Sequence, residues 1–223
     1  MGHAVSLSTP SGRISAWRAD PPYPPKGALV VVQEIFGLNA HIRGVVERFA
    51  AHGYAAIAPA LFDHIEPKLE LAYDEAGVSR GLALVDQLGF DRVLGDVECA
   101  AREIESASPG GKVGVVGYCW GGSVAFLASC RLGLPAVSYY GGRTVPLLGH
   151  ERPKAPLLLH FGERDALIPP EHVALHREHL PQAQIEVWPA GHGFNCEMRA
   201  DYHEPSAQAA LQQTLAFFGR QLR

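Results

Sequence analysis

The chain is expected to be an α/β protein: a mostly parallel central sheet covered by helices on both faces. Two observations predict this. Short apolar runs alternate with helical patterns along almost the whole chain, the signature of strands joined by helical crossovers. Several runs are apolar without interruption, as in strands buried on both faces, and 28–33, Ala-Leu-Val-Val-Val-Gln, is the clearest.

The elements follow in order. Residues 4–7 and 14–17 read as a β-hairpin. The Pro-rich piece from Pro21 to Gly27 has too little chain before it to be a linker and reads as a rigid turn. The strand at 28–33 follows. Residues 41–52 carry Val45, Val46, Phe49 and Ala50 at helical spacing and stop at Gly53. A strand at 54–58 ends at Pro59. Residues 71–88 are helical in pattern, and 91–104 form a clearer helix with Val93, Val97, Ala100, Ala101 and Ile104 on one side. A strand at 113–116 leads into a helix at 120–130. Strands at 136–139 and 156–161, a helix at 171–180 and a strand at 185–188 come next. A closing helix at 205–222 should face inward with Ala210, Leu211, Leu215 and Phe218.

Composition narrows the function classes. The chain has 223 residues, 47% hydrophobic and 19% charged, with net charge −4, which suits one domain spanning 1–223 with a sizeable core. No basic run interleaves with aromatics, so a nucleic-acid partner is not expected. Residues 1–10 lack a basic leader or signal-length apolar run, and no apolar segment is long enough for a bilayer, so no membrane role is expected. Four cysteines (Cys99, Cys119, Cys130, Cys196) without CxxC spacing suggest a reducing compartment, hence the cytoplasm. Monomer and small homo-oligomer are equally compatible with the sequence.

The chemistry concentrates after predicted strands. Gly117-Tyr118-Cys119-Trp120-Gly121-Gly122 follows the strand at 113–116 and has the form of a nucleophile elbow, with glycines where chain and helix come close. Cysteine stands where serine is usual. Asp165 lies in Gly162-Glu163-Arg164-Asp165 and His192 in Ala190-Gly191-His192-Gly193-Phe194. Nucleophile, acid, histidine is the chain order of α/β-hydrolases. A free thiol titrates near about 8.5 and is mostly protonated at neutrality; a helix N-terminus and an adjacent imidazole favour the thiolate. His192 would take the thiol proton, protonate the leaving group and activate water, and Asp165 would orient the imidazole. Trp120 would supply one oxyanion amide and Ile35, in Gln33-Glu34-Ile35-Phe36-Gly37, the other.

Each residue has a plainer reading. Cys119 fits a small buried residue in a tight turn, His192 an ordinary loop histidine, and Asp165 a turn aspartate. The ordered trio favours the chemical reading of all three together. Glu34 could cap a turn or face the thiol and alter its protonation. His172, His176 and His179 have metal-compatible spacing, but a solvated helix face explains them as well. No metal site is expected. Gly110-Gly111-Lys112 precedes its strand and is no phosphate loop. Ser123, Cys99 and Cys130 read as packing residues.

These segments, with Tyr139-Tyr140-Gly141, resemble the dienelactone hydrolase family (carboxymethylenebutenolidases) over nearly the whole chain. The resemblance implies an α/β-hydrolase fold without a large lid, no cofactor, and a small-molecule lactone or ester as substrate. It implies a Cys-His-Asp triad of Cys119, His192 and Asp165 forming a thioester. It makes Glu34 a switch that engages the resting thiol and releases it when substrate binds. Phe36, Tyr139 and Phe194 would line the substrate, and Arg80 would hold a substrate carboxylate. Four residues after the histidine, where family members carry a second arginine, this chain has Cys196, with Arg199 three residues on. Cys196 would then be a second modifiable thiol near the pocket mouth. A carboxylesterase with a different acyl pocket, and a thiol redox sensor on the same fold, are the alternatives.

Overall fold

The computed structural model describes residues 1–222. The chain groups into two units, Met1–Gly114 with Leu222, and Val115–Gln221, so the boundary falls inside a strand.

In the first unit the strands are β1 (His3–Thr9), β2 (Gly12–Ala19), β3 (Ala28–Val32) and β4 (Ala55–Pro59). Their order is β1-β2-β4-β3. The hairpin pairs His3 with Arg18 through Thr9 with Gly12, β2 is antiparallel to β4, and β3 is parallel to β4. Pro59 is the last residue of β4, opposite Ala16, rather than lying beyond the strand. Every residue of β3 and β4 is buried. Helix α1 (Ala40–Ala51) is capped by Asn39, whose side chain accepts from the Ile42 N–H, and buries Ile42, Val45, Val46 and Phe49. Helix α3 (Phe90–Glu105) buries Val93, Val97, Ala100 and Ile104 and packs on β3 and β4.

Helix α2 (Glu75–Leu88) starts four residues later than its apolar pattern suggests. Asp74 caps it by accepting from the Gly77 N–H at 2.7 Å. Residues 71–74 are thereby freed, and the Leu71 N–H donates to the Phe36 carbonyl at 3.0 Å.

The second unit holds β5 (Val113–Tyr118) from Val115 onward, β6 (Ala136–Tyr139), β7 (Leu157–Gly162) and β8 (Gln184–Trp188), all parallel and in that order. Helix α4 (Trp120–Leu127) is buried on every side and packs on β6. It continues as a wider turn over Ala128–Leu132 and stops at Gly133, where φ is 67°. Helices α5 (Pro170–His179) and α6 (Glu204–Gln221) complete the unit.

The inward face of α6 differs from its apolar pattern. Ala210 and Phe218 are buried as expected, whereas Leu211 and Leu215 are half-buried and Thr214 and Phe217 are enclosed. A polar residue takes the core position because a chain of hydrogen bonds satisfies it. The Trp188 indole N–H donates to His160 Nδ1 at 3.2 Å, which puts the His160 proton on Nε2, 3.1 Å from Thr214 Oγ1. The Thr214 hydroxyl is in turn hydrogen-bonded to the Tyr139 hydroxyl at 2.7 Å. Burial pushes the His160 imidazolium down to a pKa of about 3, so the ring is neutral.

His176 also corrects the expectation of a solvated face on α5. It is fully buried, bonded through Nε2 to Thr144 Oγ1 at 2.6 Å and through Nδ1 to the His172 carbonyl at 2.7 Å. Among the described residues no helix is long and apolar enough to cross a membrane.

Candidate active site

The elbow is built by steric exclusion. A Cβ on Gly117 would fall 1.8 Å from the Gly121 carbonyl oxygen, and one on Gly122 would fall 2.7 Å from both Ser138 Oγ and the Tyr139 carbonyl. Only glycine allows strand and helix so close. Cys119 sits between them with φ 54° and ψ −120°, a conformation that L-residues adopt at a cost of roughly 1–3 kcal/mol. The Cys119 N–H donates to the Tyr139 carbonyl at 3.0 Å, which fixes the turn on β6. Sγ thus stands at the N-terminus of α4, where the helix dipole favours negative charge.

Asp165 and His192 lie on loops after β7 and β8, and these loops are tied together. The Glu163 N–H donates to Trp188 O at 2.7 Å and the Arg164 N–H to Ala190 O at 2.9 Å. A Cβ on Gly162 would fall 2.5 Å from the Ala190 carbonyl, so glycine is again required. His192 Nδ1 donates to Asp165 Oδ2 at 2.8 Å, and its Nε2 is 3.1 Å from Cys119 Sγ. Asp165 Oδ1 accepts from the Leu167 N–H at 2.8 Å, which ties down the second carboxylate oxygen. His192 is 8% exposed and Asp165 3%. Burial disfavours the His192 imidazolium, but the charge on Cys119 and the hydrogen bonds to Asp165 and Cys119 outweigh it and raise the pKa to about 10. The three residues singled out from sequence therefore form one hydrogen-bonded chain.

Aromatic rings support this chain from below. Tyr139 stacks on Tyr118 at 4.7 Å, and the edge of Tyr140 meets the His192 ring at 5.1 Å. Tyr140 also holds a positive φ of 41°. Tyr139 and Phe194 are wholly enclosed, and Phe194 packs on Tyr140 at 5.4 Å.

Glu34, Ile35 and Phe36 lie on the loop between β3 and α1. Glu34 is fully buried, and the Tyr73 hydroxyl donates to its Oε2 at 3.2 Å while accepting from Asn39 Nδ2 at 2.9 Å. Phe36, 2% exposed, packs on the Tyr73 ring at 4.4 Å. Sequence reasoning missed Tyr73 because the helical pattern absorbed it. The signal that could have found it is Asp74, a strong N-cap residue.

The two arginines differ. Arg80 is exposed and paired with Glu66 at 3.0 Å. The Arg199 guanidinium lies over Gly193, next to His192, where an added Cβ would be 2.7 Å from Nη1. Cys196 is fully buried, which corrects its reading as a modifiable thiol at the pocket mouth.

Comparison with known proteins gives the family. The profile of the dienelactone hydrolase family matches residues 14–222. The carboxymethylenebutenolidase of Pseudomonas putida is 33% identical over 222 residues, covering 96% of this chain and 94% of the relative. A crystal structure from Klebsiella pneumoniae, provisionally described as a dienelactone hydrolase, superposes with a TM-score of 0.86 at 31% identity, covering 99% of both chains. The dienelactone hydrolase of Anabaena variabilis shares the fold at 18% identity, with a TM-score of 0.69 and coverage of 100% and 99%. The chain has the α/β-hydrolase fold, belongs to the dienelactone hydrolase family, and is a hydrolase of carboxylic ester or lactone bonds.

Proposed function

We propose that the protein opens a small lactone or ester through a thioester acyl-enzyme on Cys119, with a dienelactone-type enol-lactone as the substrate class. The observation that carries this is the unbroken chain from Cys119 Sγ through His192 to Asp165, at 3.1 and 2.8 Å. His192 Nε2 takes the thiol proton, and Sγ attacks the carbonyl carbon. The carbonyl π electrons move to oxygen, where the Trp120 and Ile35 amides meet the charge. Collapse breaks the bond to the ring oxygen, and His192 returns its proton to that oxygen. Water, deprotonated by His192, then attacks the thioester carbonyl and expels the thiolate, giving a carboxylate product. Glu34, following the family resemblance, engages the resting thiol and releases it when substrate binds.

Arg199 is our first candidate to hold a substrate carboxylate, because its guanidinium lies beside the His192 loop. Arg80 is the second and would exchange Glu66 for the substrate. Tyr139 and Phe194, packed around Tyr140, shape the site in this reading, and Phe36 shapes the loop that carries Ile35. Cys196 at the family's arginine position favours one alternative, a carboxylesterase for an uncharged acyl group, since a thiol cannot replace a bidentate arginine. We read residues 1–223 as one catalytic domain, supported by a family match that runs through both units. The four free thiols support a cytoplasmic setting.

The test is turnover of a dienelactone beside a panel of uncharged esters of similar size. Preference for the dienelactone, lost in Arg199→Met, supports the first reading. Equal or better turnover of uncharged esters, unaffected by Arg199→Met, supports the second.

A further inference from the structure

We propose Gln33 as a positioning residue that fixes the direction of the Ile35 N–H, which rests on the reading above that Ile35 is an oxyanion donor. Gln33 is the first residue after β3 and is fully buried. Its Oε1 accepts from the Leu61 N–H at 3.2 Å, and its Nε2 donates to the Glu34 carbonyl at 3.3 Å. One partner can only donate and the other can only accept, so the orientation of the amide is set by chemistry. The Glu34 carbonyl and the Ile35 N–H belong to the same planar peptide and point in opposite directions. A side chain that holds the carbonyl therefore also sets where the N–H points.

The peptides that follow are held too. The Ile35 carbonyl rests against Gly81 on α2, where a Cβ would fall 2.2 Å away, and the Phe36 carbonyl accepts from the Leu71 N–H at 3.0 Å. The Ile35 N–H itself donates to no group among the described residues, although Ile35 is only 6% exposed. Buried backbone donors are nearly always paired. A donor kept unpaired while the Glu34 and Phe36 carbonyls on either side are hydrogen-bonded suits an oxyanion that forms only during reaction.

The experiment compares Gln33→Met, which removes both bonds, with Gln33→Glu, which retains the acceptor for Leu61 but has no donor for the Glu34 carbonyl when ionised. Four quantities are read on each: kcat and KM for ester turnover, the rate of Cys119 alkylation by iodoacetamide, and thermal stability. Alkylation is displacement at a saturated carbon and builds no oxyanion, so it reports thiol and imidazole alone. We expect kcat to fall by about 10–100-fold, with KM and the alkylation rate within about twofold of wild type. Unchanged kcat overturns the proposal, and so does an alkylation rate that falls in parallel with kcat.

A second substitution separates the two layers. Replacing Ile35 by its α-hydroxy acid exchanges the N–H for an ester oxygen. Full kcat there overturns the donor reading, and the positioning role with it. Reduced kcat there with unchanged kcat in Gln33→Met overturns the positioning role alone. If both readings hold, Gln33→Met adds little in the Ile35 ester background, because both changes remove the same donor.

Discussion

The segment 117–122 and the loop 33–37 each shape a short stretch of backbone, but the contacts that shape them come from different distances along the chain. In the elbow, Gly117 is pressed against the carbonyl of Gly121, four residues on. In the loop, Gln33 is held by Leu61, Glu34 by Tyr73, Phe36 by Leu71, and Ile35 rests on Gly81. The elbow is first a local steric device, set by glycine spacing, and is then tied to β6 beside it through the Tyr139 carbonyl. The loop is a tertiary one, stable only once the segment from 61 to 81 is in place. Damage to the first should break the fold locally and outright. Damage to the second should leave the fold and displace an amide.

The largest effect expected is that of Gly117→Ala. Its Cβ would lie 1.8 Å from a backbone oxygen that cannot move without unwinding the start of α4. We expect a loss above about 3 kcal/mol, or no folded protein, by urea denaturation. Gly81→Ala should be milder in stability and specific in activity. The new Cβ would push on the Ile35 carbonyl, 2.2 Å away, with about 1–3 kcal/mol lost and kcat reduced while Cys119 still alkylates. Gly95→Ala, on α3 with nothing within 4 Å, is the control and should be neutral or slightly stabilising. Equal losses for Gly81→Ala and Gly95→Ala would remove the distinction between the two regions.

The smallest effect sharpens the comparison, because the elbow region also draws support from far along the chain. Tyr139, stacked on Tyr118, is held through Thr214, His160 and Trp188. His160 has its pKa lowered by burial from 6.5 to about 3. Between those values the unfolded chain binds a proton that the folded chain does not, so this group's stabilisation is complete above 6.5 and declines as pH falls. The decline is on the order of 1 kcal/mol per pH unit. His160→Gln should show a shallower loss of stability between pH 7 and 5 than wild type, read from urea midpoints. Identical slopes would mean that His160 is not held neutral by the fold.

The same division explains what could be read from the sequence. The alternation of apolar runs and helical patterns foretells the layered fold, and glycine spacing with chain order singles out Cys119, Asp165 and His192. Those signals are local. Thr214 could not be read as a core residue, because its place depends on Tyr139 and His160 far away in sequence. His176 was misplaced on a solvated face for the same reason, its partner Thr144 lying on another segment. Tyr73 was hidden by a helical pattern that Asp74 interrupts. Nothing local in 193–199 shows that Arg199 lies over Gly193 while Cys196 is enclosed.

The central claim is that Cys119 carries the acyl group, and intact-mass and peptide mass spectrometry during reaction with an activated ester test it most directly. The account predicts one acyl adduct, on the peptide containing Cys119, that forms in a burst, decays with turnover and is absent from Cys119→Ala. An adduct on another residue, or ester turnover persisting in Cys119→Ala, would contradict it.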